Sequence, residues 1–322
     1  MPTLDVVGIG NPLLDHIASV RDADLASLGL VKGTMRLIGE GDARHLLGLV
    51  STAQRFPGGS CCNTMLGLAH LGGKAAYIGA VGEDEQARFL ENALASRGVV
   101  PLLVRRKGIT GACVVLLSED AERTLNTHLG AAQSLTAADI RERDIQNASY
   151  LHLEGYLWDT SGQAAAAERA VRLAKKLGVR VSLDLADPFA VERHRDTFLR
   201  LLPDCDVLFA NEEEARIFTG FSAEEAAPLL AKRCPFVVVK LGAKGSLIVS
   251  ERKAHQIAPF QVPAVDTTGA GDIYASAVLY GLTHGLSPEK TGRLASYAAG
   301  QVVAQRGAQL TSPVDMKKAL SP

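Results

Sequence analysis

The sequence predicts an α/β fold in three layers, with helices on both faces of a mainly parallel central sheet and a small β-sheet lid beside it. Three observations predict this fold. Over residues 150–310, short β-branched runs alternate with helical stretches, which is the order of βαβ units. Several runs are apolar throughout, as strands covered on both faces must be. The chain has 322 residues, 47% of them hydrophobic, which is enough to bury a large core.

The strand-like runs and the helical stretches can be read directly along the chain. The strand-like runs are "DVVGIG", "AAYIGAVG", "ACVVLLS", "RVSLDL", "DVLFAN" and "FVVVKLG". The helical stretches are "NTMLGLAHLG", "EQARFLENALASRG", "SGQAAAAERAVRLAKKLG" and "EEAAPLLAKRC". Two of the helical stretches end at a glycine close behind Lys or Arg, as helix C-caps do. Ligands of such sheets collect at the carboxyl ends of the strands, so we expect the site there.

Two regions lack this alternation and predict the lid. Residues 12–45 and 102–130 hold short strand-like pieces with polar turns and little helical periodicity, such as "MRLIGEG", "PLLVRRK" and "RTLNTHL". We expect them to form a small separate sheet over a ligand site. No linker is long enough to separate independent domains, so residues 1–322 are expected to form a single unit into which the lid segments are inserted.

Charge and hydropathy exclude several classes of partner. The formal net charge is -1, and no Lys/Arg run could follow a phosphate backbone, so no nucleic-acid partner is expected. No window reaches 18 consecutive apolar residues, so no membrane partner is expected. The first residues carry acids and lack a basic segment followed by an apolar one, which predicts a cytoplasmic protein.

The segment "VDTTGAGDIYASAVLYGL" at 265–282 indicates the chemistry. A Gly-rich turn that runs into a helix is an anion site, because the unpaired N–H groups and partial positive charge of the helix start attract phosphate. The functional interpretation is that Asp272 accepts the proton of an attacking hydroxyl, while the amides of Gly269, Ala270 and Gly271 stabilise the transferred phosphoryl group. Taken alone, Asp272 could also be an ordinary acid of a first helical turn, although the functional interpretation is favoured.

A second motif, "PGGSCCNTMLGLAHLGGKAAYIGAVGED" at 57–84, completes a pair of signatures. With both present, the chain resembles the PfkB/ribokinase family of ATP-dependent sugar and nucleoside kinases. The resemblance covers nearly the whole length, from "GIGNPLLD" to "RGAQLTSP". It implies a ribokinase-like fold and an ATP-dependent kinase with ATP and Mg²⁺ as cofactors. Many members of the family also use K⁺.

The resemblance assigns roles on the nucleotide side. Asn211 and Glu214 in "NEEEA" match the N-x-x-E pattern that organises magnesium and phosphates largely through water, so Glu214 is the expected magnesium residue. Lys240, Gly242 and Gly245 in "KLGAKGS" match the segment that borders ATP. From spacing alone, "EEEA" is also an acidic first helical turn and "KLGAKGS" a strand that ends in a Gly-rich turn.

The resemblance also implies the reacting groups. Asp272 corresponds to the catalytic base, and Gly269, Ala270 and Gly271 to the anion hole. Asp266 and Thr268, which precede the anion hole, are the expected contributors to a monovalent-cation site.

The acceptor side is implied by a further set of matches. The substrate-binding residues are Asn11, Asp15, Gly58, Gly59, Asn63 and Arg123. A carboxylate that binds vicinal hydroxyls discriminates well, because an analogue that lacks one leaves a buried acceptor unpaired. Arg123 matches a lid arginine that faces the transferred phosphoryl group. The residues alone also allow a turn acid at Asp15, a tight turn at the glycines, a helix N-cap at Asn63 and an exposed strand arginine at Arg123.

The acceptor is predicted from two segments. "GNPLLD" and "RTLNTHLGAA" are more similar to adenosine kinases than to ribokinases or fructokinases, which favours the 5′-hydroxyl of adenosine. Only 5% of residues are aromatic, so few side chains can stack on a purine; Tyr156 and Trp158 are candidates, and Leu157 stands where an aromatic is expected. Two alternatives stay open: a sugar kinase for ribose, fructose or a sugar acid, and a nucleotide-binding regulator without catalysis. The sequence allows a monomer or a homodimer.

Overall fold

The strands form two β-sheets in the computed structural model, which describes residues 2–120 and 122–321. In chain order the strands are β1 (Leu4–Ile9), β2 (Leu13–Ser19), β3 (Met35–Leu37), β4 (Gln54–Gly58), β5 (Ala75–Gly82), β6 (Val99–Arg106), β7 (Gly111–Leu117), β8 (Arg123–His128), β9 (Ala148–Glu154), β10 (Arg180–Asp184), β11 (Val207–Asn211), β12 (Phe236–Lys240), β13 (Ser246–Ser250) and β14 (Lys253–Ile257).

Helices connect these strands. In chain order they are α1 (Asp22–Ser27), α2 (Glu40–Leu49), α3 (Ser60–His70), α4 (Glu85–Ser96), α5 (Glu142–Ile145), α6 (Ser161–Leu177), α7 (Pro188–Leu201), α8 (Glu212–Thr219), α9 (Ala223–Leu230), α10 (Ala270–Thr283), α11 (Pro288–Val303) and α12 (Met316–Leu320). Short 3-10 helices lie at Gly130–Ser134, Ala137–Asp139, Gly155–Asp159, Leu202–Asp204 and Gly242–Lys244. Within the described residues, none of the helices has both the length and the apolar character needed to cross a bilayer.

The larger sheet confirms the predicted central sheet. Its strand order is β14-β13-β12-β11-β10-β9-β1-β5-β6. All pairs from β6 to β12 are parallel, and only the β12–β13 and β13–β14 pairs at one edge are antiparallel. Because parallel strands run in one direction, their carboxyl ends meet at one edge of the sheet, where a ligand site is expected.

Helices cover both faces of this sheet, as predicted. Successive residues of β1 show the division, since side chains of a strand point alternately to opposite faces. Val6 packs in a core with residues of α3, α10 and α11, and Val7 in a second core with residues of α6, α7 and α9. Both valines are fully buried. The chain therefore has the three-layer architecture that the apolar runs indicate.

The smaller sheet has the order β3-β8-β7-β2-β4 and forms the lid. The predicted lid segments, 12–45 and 102–130, differ from the observed ones. The first contribution continues to Gly58, and the second begins at Gly111. Residues 102–106 belong to β6 and pair with β5 in the larger sheet. That assignment was wrong because β6 is an edge strand, half exposed and ending in two arginines, and so has the partly polar character of a lid strand.

Two helices also lie within the first lid segment, where strand-like pieces were expected. Leu25 of α1 and Leu46 of α2 pack on Val114 and Leu116 of β7 and cover one face of the small sheet. The helices are short, and α2 contains Gly41 and Gly48, which weaken the helical pattern in the sequence. Tertiary packing against β7 stabilises them instead.

Candidate active site

The start of α10 places Asp272 at the centre of the site. Gly269 is the residue before the helix and has a φ of 73°, which favours glycine. Asp272 lies in the first turn and is half-buried. Its two carboxylate oxygens accept hydrogen bonds from Ser60 Oγ at 2.7 Å and from Asn63 Nδ2 at 3.0 Å. Burial raises the pKa of Asp272 to about 6, against the lowering effect of these two hydrogen bonds.

Helix α3 carries both of these donors, and a buried glutamate fixes where α3 begins. Glu154, the last residue of β9, accepts hydrogen bonds from the N–H of Cys61 at 2.8 Å and the N–H of Asn11 at 2.7 Å. Burial raises the pKa of Glu154 to about 7, although the bonds from Cys61 and Asn11 lower it. Gly59 precedes α3 with a φ of 97°, and an added Cβ would lie 2.3 Å from the carbonyl oxygen of Asn11. The ends of β1 and β9 therefore position the helix that holds Asp272.

Asn11 lies behind this arrangement. It is buried, its Nδ2 donates to Glu154 at 2.9 Å, and its Oδ1 accepts from Gln163 Nε2 at 2.7 Å. It is not among the residues that line the acceptor cavity. The side chain of Asn11 positions Glu154, and its expected contact with substrate stays a prediction.

Asp15 on β2 faces a cavity of about 760 Å³ between the lid and residues 306–311 of the C-terminal segment. Gly58 of the neighbouring strand β4 leaves room for the carboxylate, because an added Cβ would lie 2.4 Å from Asp15 Oδ1. Burial raises the pKa of Asp15 to about 6; the charge of Arg123 lowers it and that of Asp272 raises it. Among the described residues, no side chain or N–H donates a hydrogen bond to this carboxylate. It is free to accept hydrogen bonds from hydroxyl groups of a ligand.

Four neighbouring strands end in polar residues on the nucleotide side. They are Glu154 of β9, Asp184 of β10, Asn211 of β11 and Lys240 of β12. Lys240 Nζ donates to Asp184 Oδ2 at 3.0 Å. Burial would lower the pKa of Lys240, but the charges of Asp184 and Glu214 raise it overall, so the side chain stays a cation. The carboxyl edge of the sheet thus holds a fixed positive charge beside the start of α10.

Asn211 and Glu214 form a capping box at the start of α8. The N–H of Asn211 donates to Glu214 Oε2 at 2.8 Å, and the N–H of Glu214 donates to Asn211 Oδ1 at 2.8 Å. Burial raises the pKa of Glu214, although the charge of Lys240 lowers it. The buried carboxylate is therefore held toward Lys240 and Asp184.

A second cavity, of about 310 Å³, lies against the other side of the α10 start. Its lining residues are Lys240, Gly242, Ala243, Gly245, Pro259, Phe260, Gln261, Val262, Ala264, Thr267, Ala270, Gly271, Tyr274, Ser296, Ala299, Gly300 and Val303. Mostly apolar walls with Phe260 and Val262 suit a flat base, and Ala270 and Gly271 present the helix start. A Cβ on Gly271 would lie 3.3 Å from Lys240 Nζ, so the backbone of Gly271 and the ammonium group of Lys240 face the same space.

Arg123 joins the lid to the loop before α10. Its Nη1 donates to Asp266 Oδ2 at 2.7 Å and also to Thr268 Oγ1. Asp266 accepts two further bonds, from the N–H of Thr268 and the N–H of Gly307, both at 2.9 Å. The two side chains expected at a monovalent-cation site therefore bind the lid arginine.

The structure adds residues that the sequence interpretation did not select. Ser60, Glu154 and Asp184 hold Asp272, α3 and Lys240, respectively. The signal for two of them was present, since Glu154 and Asp184 are acids at the ends of apolar strand runs. Ser60 directly follows Gly58 and Gly59 but carries no spacing signal of its own.

One of the two candidate base-stacking residues lies in the core. Trp158 is buried, with its ring 5.4 Å from that of Phe198 in an edge-on arrangement, and Leu157 is fully buried in the same core. Neither they nor Tyr156 line the acceptor cavity, in which Phe56 is the aromatic residue. Trp158 was wrong as a stacking candidate because the segment after Glu154 carries it into the core. Tyr156 is half-buried and stays a prediction.

An acid beside an anion-binding helix start is what phosphoryl transfer to a hydroxyl requires, so the fold and site define a phosphotransferase. The chain belongs to the pfkB family carbohydrate kinases, whose family model matches residues 22–315. It is an ATP-dependent kinase with the ribokinase-like fold, which confirms the resemblance and the predicted fold class.

The names of individual relatives specify different phosphoryl acceptors. A probable sugar kinase from Rhizobium etli is 34% identical with a TM-score of 0.88, covering 97% of each chain. The adenosine kinase from Sinorhizobium meliloti is 34% identical with a TM-score of 0.87, covering 96% of this chain and 97% of that one. A ribokinase from Haemophilus influenzae is 28% identical over 88% of this chain and 96% of its own.

Proposed function

We propose that this kinase transfers the γ-phosphoryl group of ATP to the 5′-hydroxyl of adenosine. The observation that carries the proposal is the pairing of two half-buried carboxylates, Asp272 at the helix start and Asp15 in the acceptor cavity, close enough for the charge of one to raise the pKa of the other. The Asp15 carboxylate can accept hydrogen bonds from ribose hydroxyls. The Asp272 carboxylate can accept a further hydrogen bond from the hydroxyl that reacts.

The chemical step follows from these positions. Asp272 accepts the proton as the hydroxyl oxygen attacks the γ-phosphorus, and the bond to the β–γ bridging oxygen breaks to release ADP. The N–H groups of Gly269 and Gly271 are the donors for the charge on the transferred group, whereas that of Ala270 donates to the carbonyl oxygen of Thr267 at 3.2 Å. Lys240 supplies a fixed positive charge beside Gly271. A pKa of about 6 keeps Asp272 mostly ionised at neutral pH while leaving it basic enough to take a proton.

ATP fits the second cavity, with its base against the apolar walls and its phosphates toward Ala270, Gly271 and Lys240. Magnesium is typical of such kinases and neutralises phosphate charge when bound. Among the described residues, no group of three or more His, Cys, Asp or Glu side chains could hold a metal ion. The side chains present fit a cation that is held mainly by phosphates and water. Glu214 is the carboxylate that would accept hydrogen bonds from that water.

The acceptor cavity supports a nucleoside. Its volume of about 760 Å³ lies within the usual range for a drug-sized ligand, and Ile17, Phe56 and Leu116 give it apolar walls. A bare pentose has no surface that matches such walls, whereas a purine does. The adenosine kinase from Sinorhizobium meliloti, at 34% identity, favours the same acceptor.

A sugar acid is the second candidate. Arg97, Arg123 and Arg306 all line the acceptor cavity, and a carboxylate on the acceptor would pair with them. The similarity to a probable sugar kinase from Rhizobium etli favours this reading.

An acceptor panel tests the proposal. ADP release is measured with ATP and Mg²⁺ against adenosine, other nucleosides, ribose, fructose and a set of sugar acids. The proposal expects adenosine to give the highest kcat/KM. A sugar acid with the highest value, lost on changing Arg97 or Arg306 to alanine, would replace adenosine by the second candidate. No turnover with any acceptor, despite ATP binding, would favour the regulator.

The assembly and location are part of the same proposal. We expect a monomer or a homodimer in the cytoplasm. Met35 and Leu37 on the lid edge strand β3 are exposed and would be covered in a dimer. Light scattering on the purified protein would distinguish the two assemblies.

A further inference from the structure

Asp266 and Thr268 do not fit the monovalent-cation site that the resemblance implies. The Asp266 carboxylate already accepts hydrogen bonds from Arg123, from the N–H of Thr268 and from the N–H of Gly307. The hydroxyl of Thr268 accepts from the same guanidinium. A potassium ion replaces its hydration shell with several oxygen atoms, and here the side-chain oxygens are occupied by N–H donors.

The open space beside Asp266 is also unsuited to a cation. A small cavity of about 70 Å³ touches Asp266 and is lined by Arg123, Arg306, Ile17 and Leu117, together with Val265 and Gly307. Two guanidinium groups repel a cation, and aliphatic side chains cannot ligate one. The ion pair itself is well shielded, since the Arg123 and Asp266 side chains are only 16% and 12% exposed.

We infer that the Arg123 guanidinium takes the place of a monovalent cation at the loop before the anion hole, so that this kinase does not depend on potassium. Arg123 carries the same single positive charge as the ion. Through Asp266 it links to Thr268 and Gly307, which flank Gly269: an added Cβ on Gly269 would lie 2.5 Å from Ala308 Cβ. Neutralising Asp266 therefore stabilises the loop that shapes the anion hole.

The positive charge of Arg123 is part of the lid, whereas a free ion would bind independently of the lid. Arg123 is the first residue of β8, whereas Asp266 and Thr268 belong to the loop before α10. An ordered anion hole then requires the lid to be in place over the acceptor. The loop geometry is coupled to lid position through one ion pair, without a cation from solution.

Exchange of the monovalent salt tests the inference on the wild-type protein. ADP release is measured with the best acceptor of the panel, with ATP as its Tris salt, in chloride salts of potassium, sodium or N-methylglucamine at equal ionic strength. The wild type is expected to show the same kcat and kcat/KM in all three. Activation by potassium of about fivefold or more over N-methylglucamine would overturn the inference.

The variant Arg123→Ala provides the second part of the test, because it leaves room for a cation beside Asp266 and removes the partner of that carboxylate. We expect this variant to lose activity by at least about tenfold in N-methylglucamine and to recover part of it in potassium. Arg123→Lys, which keeps a charge, is expected to respond less to potassium. Arg36→Ala removes a lid guanidinium that binds Asn126 instead, and is the matched control without a potassium response. Loss of activity in Arg123→Ala that no cation restores would also overturn the inference.

A thermal measurement separates this test from the proposed acceptor, since it needs neither acceptor nor turnover. The melting temperature of the ligand-free wild type is expected to be equal in potassium and N-methylglucamine. That of Arg123→Ala is expected to rise with potassium in a saturable way. A potassium-dependent rise in the wild type would contradict the inference even if adenosine proves to be the acceptor.

Discussion

Ser60 Oγ donates a 2.7 Å hydrogen bond to Oδ1 of Asp272, across the contact between α3 and α10. With Asn63 on the other oxygen, it fixes the orientation of the carboxylate toward the helix start. Burial raises the pKa of this carboxyl, and the two bonds limit the rise, because they stabilise the ionised form. The position of α3, set by Glu154 and Asn11, is therefore part of the catalytic arrangement.

Ser60→Ala should raise the pKa of Asp272. The lost bond to a charged group is worth about 1.5–3 kcal/mol, so the acid limb of the kcat/KM profile should move up by about one to two pH units. Profiles measured between pH 5 and 9 on the variant check this. Ser96→Ala, on the exposed face of α4, is the control with an unchanged profile. An unshifted midpoint in Ser60→Ala would remove its role in tuning Asp272.

Activity should fall as the pH drops through 6. Both Asp15 and Asp272 have pKa values of about 6 and both must be ionised, so the slope of log kcat/KM against pH should approach about two on the acid side. In Asp15→Asn one titration is gone, and the slope should approach about one. A wild-type slope no steeper than that of the variant would mean that the ionisation of Asp15 does not matter for acceptor binding.

Asp15→Asn should also stabilise the protein at alkaline pH. The folded pKa of Asp15, about 6, lies above its ordinary value of 3.8, so its ionisation costs stability as pH rises from 4 to 6. At pH 8 the variant should gain at most about 3 kcal/mol in the free energy of unfolding, and at pH 4 almost nothing. Urea unfolding at the two pH values measures the difference. A variant that is no more stable than the wild type at pH 8 would show that burial does not destabilise the ionised form of Asp15.

Two glycines of the anion hole should respond differently to alanine. Gly269→Ala should unfold more easily, by more than about 1 kcal/mol, because its φ is positive and its Cβ would meet Ala308. Gly271 lies inside α10, where alanine is favourable, but its Cβ would lie 3.3 Å from Lys240 Nζ, where phosphate approaches. Gly271→Ala should therefore keep its melting temperature and lose ATP affinity. Equal loss of stability in both would contradict the assignment of Gly271 to nucleotide contact.

The sequence predicts the larger sheet and the helix start well, because these depend on local patterns. Apolar runs such as "FVVVKLG" are typical of strands covered on both faces. The stretch "GAGD" directly before an apolar segment is typical of a tight turn at the start of a helix. The lid boundary was less predictable, since β6 is an edge strand whose partly polar sequence does not reveal its neighbour.

The connections within the site could not be read from the sequence. Ser60 and Asp272 are 212 residues apart, and Arg123 and Asp266 are 143 residues apart. Such contacts depend on how α3, α10 and β8 pack, which no local pattern encodes. For the same reason Trp158 was placed at a base pocket, although it packs on Phe198 in the core.

The most direct test is AMP formation from adenosine and ATP by the wild type and by Asp272→Asn. The asparagine keeps the size of the side chain and can still bond to Ser60, but it cannot accept the proton. We predict that the wild type forms AMP and that the variant is slower by at least about 100-fold with nearly unchanged ATP affinity. The control Asp196→Asn, at an exposed position of α7, should stay fully active. Undiminished AMP formation by Asp272→Asn, or none by the wild type, would contradict the account.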